Sequence, residues 1–158
     1  MTTTPRVLVV RPATPDDRAF VVATARRLAD FGPPPWRAVD EVVLREQRAL
    51  TEFFDRAEPG SALYVATRDD EALGFILLTT HDDYFTGEQV GHVDIIAVLE
   101  SGEGQGVGGA LMREAEQWGR ANGYRRLTLN VFDRNDRARR IYEHLGWRPE
   151  TVHYIKVL

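Results

Sequence analysis

The chain has no cysteine. That excludes disulfide bonds, thiolate metal sites and a cysteine nucleophile. Lysine is almost missing as well: Lys156 stands alone, and arginine carries the rest of the positive charge. Neither sign of charge dominates. A net charge of −4 over 158 residues sets aside a general nucleic-acid binder. No apolar run is long enough to cross a bilayer, so no membrane partner is expected. The opening Met1-Thr2-Thr3-Thr4-Pro5-Arg6 lacks the apolar stretch of a signal peptide. Together with the missing cysteines, this predicts a cytoplasmic protein. No repeat, low-complexity tract or linker divides the chain, which predicts one domain over 1–158. Apolar residues make up 43% and charged residues 28%, the balance of a soluble globular domain with a proper core.

What is present is organised around one stretch. Val90 to Val98 is rich in Val and Ile and reads as a strand. Five of the eight residues from Gly102 to Gly109 are glycine, which lets backbone N–H groups approach a ligand closely. A helix follows from Gly108, with Leu111, Ala115 and Trp118 on one apolar face. A helix opening on such a loop presents free N–H groups and the positive end of its dipole, a ready phosphate site. Two motifs fit the letters. Gly104-x-Gly106-x-x-Gly109 matches a dinucleotide fingerprint, with Asp133 as the later acidic residue. That reading needs further βα units downstream, and only one strand, one helix and a short tail follow. The same letters fit Q/R-x-x-G-x-G/A, with Glu103, Gly106 and Gly108 in the motif positions.

The remaining elements give an order of β-α-α-β-β-β-α-β-α-β(-β). Val7 to Arg11 predicts the first strand, and Thr14-Pro15 opens a helix reaching about Asp30. Phe31-Gly32-Pro33-Pro34-Pro35-Trp36 breaks it, and a second helix runs from Val39 to Arg56. Ala62–Thr67 and Leu73–Thr80 form a hairpin. After the glycine loop and its helix, Arg126 to Phe132 predicts strand five, and a last helix carries Ala138, Ile141, Tyr142 and Leu145. Trp147–Pro149 and His153–Leu158 are expected to add one or two final strands. The fold class is α/β (α+β): a mixed, mainly antiparallel sheet of six to seven strands flanked by helices.

In this order the sequence resembles a GNAT-superfamily N-acetyltransferase. The resemblance rests on the glycine loop and on Asn135-x-x-Ala138-x-x-x-Tyr142-x-x-x-Gly146-Trp147. It implies transfer of an acetyl group from acetyl-CoA to a primary amine, by direct attack in a ternary complex and with no metal. It also implies that strand four splays from strand five at a bulge, so that the pantetheine arm pairs with backbone near Ile96 and Val98. The loop residues Glu103, Gly104, Gln105, Gly106, Val107, Gly108 and Gly109 would hold the pyrophosphate. Asn135 would bond or orient the cofactor arm, and Tyr142 would stand near the sulfur as the acid. The backbone N–H of Ile96 would face the developing oxyanion. Glu103 departs from the motif, because a carboxylate replaces Gln or Arg there.

The base stays open between His92, Asp94 and a water chain. His92, Asp94, Ile96 and Val98 share a face if the strand is regular. Phe31, Trp36, Tyr84 and Phe85 are expected at the rim of the acceptor pocket, where aromatic rings suit a cationic amine. The acceptor is a small-molecule or peptide amine, and the last strands could pair two copies into a homodimer. An acyl-CoA-binding sensor of the same fold, without turnover, is the alternative.

Overall fold

The computed structural model describes residues 6–158. The reading of Met1–Pro5 as lacking a leader falls outside them. The elements are β1 (Leu8–Pro12), α1 (Arg18–Thr24), α2 (Val39–Arg56), β2 (Ala62–Arg68), β3 (Glu71–Asp82), β4 (Gln89–Val98), α3 (Val107–Ala121), β5 (Leu127–Leu129) and α4 (Asp136–His144). The sheet runs in sequence order, β1-β2-β3-β4-β5. The first three pairings are antiparallel and the last is parallel. This is the expected mixed α/β class. Two apolar layers hold it together. Val21, Ala25 and Leu50 pack on one sheet face with Leu63, Val65, Phe75, Leu77, Ile95 and Ala97. Leu111, Met112, Ala115 and Trp118 of α3 pack on the other with Ile76, Leu78 and Val93.

The sheet among the described residues has five strands, not six or seven. Residues 147–158 form no ladder. Val152 and Tyr154 alternate as in a strand, but they are 74% and 88% exposed. An alternating pattern becomes a strand only where an edge and an apolar layer receive it. The first predicted helix is also shorter than expected. Pro15–Asp17 and Ala25–Ala29 are 3₁₀ turns on either side of α1.

Two irregularities shape the middle of the sheet. Leu77 pairs with Ile95 and Leu78 with Val93, which leaves Asp94 unpaired as a bulge in β4. The bulge divides residues that a regular strand would align. Ile96 and Val98 pack on the α3 side, with Val93. His92 pairs with Thr79 and shares its face with Leu77 and Phe75, on the α1–α2 side. Asp94 lies on that side as well, within 3.8 Å of Arg45 on α2. The second irregularity is the end of β5. Only Gly91, His92 and Val93 pair with it, so β4 and β5 separate from Asp94 onward. Strand five therefore covers three residues rather than Arg126–Phe132, because the chain turns away after Leu129. The unpaired edge of β4 from Asp94 to Val98 opens onto the glycine loop.

Candidate functional site

The loop between β4 and α3 keeps its glycines for conformational reasons. Gly104 and Gly106 have φ of +70° and +80°, which L side chains rarely adopt, and both stand in open space. Gly106 is the N-cap of α3 and accepts from the Ala110 N–H at 3.0 Å. Among the described residues, the N–H groups of Gly104, Gly106, Val107, Gly108 and Gly109 have no backbone acceptor outside the helix. The first turn of a helix cannot supply one, so they are free for an anion. Gly102 is needed for a different reason: a Cβ there would meet Val98 Cγ1 at 3.2 Å and Leu73 at 3.3 Å. Gln105 turns away from the groove. Its side chain bonds Arg68, at the rim of a cavity of about 420 Å³ lined also by Arg6, Asp69, Glu71, Leu73 and Ser101.

Glu103 opens the loop and is engaged by two arginines. Arg27 donates to its Oε1, and Arg137 Nη1 lies 2.9 Å from the same oxygen. The Arg137 guanidinium, helped by Arg27, holds this carboxyl below the usual carboxylate range. Arg27 also bonds Asp30 and donates from Nε to the Val98 carbonyl at 3.2 Å.

α4 brings up the second motif. The Asn135 Oδ1 accepts from the Ala138 N–H at 3.2 Å, so it caps the helix. That leaves the Asn135 amide nitrogen as the group able to reach a ligand. Tyr142 is half-buried against the α3-side core, 6.5 Å from the Trp147 ring. Burial pushes its phenol up, so it remains a proton donor at neutral pH.

On the opposite face, His92 is 7% exposed. Its Nδ1 shares a 2.7 Å hydrogen bond with Thr128 Oγ1. The His81 ring lies 4.5 Å from it, and His81 Nε2 shares a hydrogen bond with Thr79 Oγ1 at 3.0 Å. Burial, and then the neighbouring His81, hold the His92 imidazole below its ordinary range, while Asp94 opposes them. A neutral imidazole is the form able to accept a proton.

Glu46 belongs to this face as well, although no motif includes it. This residue of α2 pairs with Arg45 at 2.8 Å, and the Asp94 carboxylate acts on both. Burial raises the Glu46 carboxyl. The signal was available: Glu46 lies in the stripe defined by Val42, Val43 and Leu50, where an amphipathic helix carries apolar residues.

The four aromatic residues expected at one rim are separated. Phe31 packs on Phe132, ring centroids 5.0 Å apart, beyond the end of β5. Trp36 is half-exposed on the same connection before α2. Tyr84 and Phe85 pair with each other at 5.2 Å on the hairpin between β3 and β4, 93% and 74% exposed. That hairpin precedes a ten-residue strand, so about 30 Å lies between it and the glycine loop. The nearby Asp83 is used locally, accepting from the Phe85 and Thr86 N–H groups at 2.9 Å.

A family model described as the acetyltransferase (GNAT) family matches residues 26–147. The chain belongs to this family. The match runs through α2, the bulged β4, the loop and α4. Membership sets aside the dinucleotide reading, which also requires parallel strands where this sheet is mainly antiparallel. The mycothiol acetyltransferase of Nocardiopsis dassonvillei is 30% identical over 135 residues, 84% of this GNAT chain and 39% of its own length. The chain therefore spans about two fifths of the length of that curated relative. Solved structures share the fold. An acetyl transferase from Pyrococcus furiosus superimposes with a TM-score of 0.78 at 19% identity, over 96% of this chain and all of its own. The aminoglycoside N-acetyltransferase AAC(6')-Iy, solved in complex with CoA, gives 0.71 at 19% identity over 99% of both chains.

Proposed function

We propose that this GNAT chain is an acetyl-CoA-dependent N-acetyltransferase that acts on a primary amine in a ternary complex. The observation that carries the reading is the parting of β4 from β5 on the strand that leads into a loop of free N–H groups. A phosphate fits this loop, since Gly104 and Gly106 stand in open space and the loop's N–H donors from Gly104 and from Gly106 to Gly109 lack backbone partners. Gly104 to Gly109 bind the pyrophosphate, and the open edge of β4 near Ile96 and Val98 binds the arm. Acetyl-CoA, when bound, supplies the activated acetyl group.

The two sheet faces then divide the work. On the α3 side, Tyr142 holds a proton for the leaving sulfur, kept there by burial of the phenol. On the α1–α2 side, His92 is held neutral and takes the proton from the amine. Asp94 and Glu46 give this face an acidic lining that attracts a cationic amine. The N–H of Ile96, two residues past the bulge, faces the oxyanion.

The test is calorimetry with acetyl-CoA followed by CoA release over a panel of amines. Acetyl-CoA binding with amine-dependent release is expected. Tyr142→Phe is expected to lower kcat by about 10²-fold, the usual size for a lost general acid, with acetyl-CoA affinity within about twofold. Binding without release by any amine would favour a sensor over an enzyme.

A further inference from the structure

Glu103 is the residue at which this chain departs from the loop motif, and the structure gives that departure a role. Two arginines from separate parts of the chain meet on its carboxylate. Arg27 comes from the 3₁₀ turn after α1, and Arg137 from the first turn of α4. They meet at Glu103, the residue that opens the glycine loop after β4. A guanidinium presents the same planar fork to a carboxylate and to a phosphate. Two arginines converging on one oxygen beside five free N–H groups therefore make an oxyanion site in which Glu103 is the present anion.

Arg27 also touches the open strand edge. Its Nε bonds the Val98 carbonyl, on the stretch of β4 that has no β5 partner. A ligand lying along that stretch takes this acceptor and frees the arginine. Asp30 keeps Arg27 oriented while this happens. Glu103 itself has extended backbone, φ −65° and ψ 141°, and a side chain only part-buried, so its carboxylate can swing aside. It has a physical reason to do so, since a carboxylate and a pyrophosphate bound side by side repel one another.

We propose that Arg27 and Arg137 are ligands for the cofactor's phosphates, and that Glu103 holds them in place until the phosphates displace it. The inference rests on the acetyl-CoA reading above. Glu103 thus orders the site when empty and weakens binding when full, which tunes affinity for the cofactor.

The experiment measures acetyl-CoA affinity of wild type, Glu103→Gln, Arg137→Ala and the double variant at low and physiological salt. Glu103→Gln is expected to bind acetyl-CoA about three- to tenfold more tightly, the size of a part-exposed ion-pair effect, and more so at low salt. Arg137→Ala is expected to weaken binding by a similar factor, and by more in the Glu103→Gln background, where nothing competes for the arginine. Glu100→Gln removes a neighbouring exposed carboxylate and is expected to change affinity by less than about twofold, which separates exchange from general repulsion. Weaker or unchanged binding by Glu103→Gln, with wild type binding normally, overturns the exchange and makes the triad a brace for the loop. Equal gains from Glu103→Gln and Glu100→Gln overturn it too. Wild type that binds no acetyl-CoA removes the cofactor reading itself, and this inference with it.

Discussion

His92 carries the most chemistry for its size. It is buried between Thr128 and His81, and its imidazole is held below the ordinary value of about 6.5. As the base, it would keep the amine reaction running below neutral pH before the rate falls. His92→Gln is expected to lower kcat by about 10²-fold and to remove the acidic limb of the kcat/KM profile. A full rate with an unchanged acidic limb would hand the proton to a water chain instead. Glu46 belongs to the same scale. Its raised carboxyl, set beside Arg45 and Asp94, is marked in the sequence by an acidic residue that interrupts an apolar stripe.

At the scale of the element, β4 decides the architecture. Its Val- and Ile-rich sequence makes it a strand, while Gly91 lets its neighbours come close. A Cβ at Gly91 would meet Leu127 Cδ2 at 2.5 Å and Trp118 Cζ3 at 2.7 Å. α3 and β5 thus rest on a position without a side chain. Gly91→Ala is expected to destabilise the fold by about 1–3 kcal/mol through overpacking, read as a lower denaturant midpoint with an unchanged slope. The same β4 bulge turns Asp94 toward α2 and leaves Ile96 and Val98 facing α3. One inserted position gives the two faces different tasks.

Over the whole molecule, acid titration shows how the layers are joined. Asp17, at the start of the α1 layer, accepts from Arg11 of β1 at 2.7 and 2.9 Å and from the Thr14 N–H at 2.7 Å. Arg11 holds its carboxyl below the usual range. The unfolded chain therefore takes up a proton first as pH falls through about 3.9, and the stability from this pair is lost from there downward. His92 acts in the same direction at higher pH. Its folded form resists protonation, so stability begins to fall below about 6.5. Melting temperature is expected to drop in two stages on acidification. His92→Gln should remove the upper stage and Asp17→Asn the lower, with Asp17→Asn also costing about 1–3 kcal/mol near neutral pH because Arg11 is partly solvated. A single transition unaffected by either variant would contradict this account.

The sequence by itself determined the class of fold, the span Val39–Arg56 of α2, the glycine loop and the Asn135–Trp147 motif. These depend on local chemistry: apolar periodicity, caps, and glycines whose positive φ few other residues tolerate. Only the tertiary structure decided which residues share a face. The bulge at Asp94 depends on its partner strand, and it separated His92 from Ile96. The approach of Arg27 and Arg137 to Glu103 joins positions far apart in the chain, which no local pattern encodes. The final strands failed for the same reason: Val152 and Tyr154 alternate correctly, but alternation does not supply an edge to pair with.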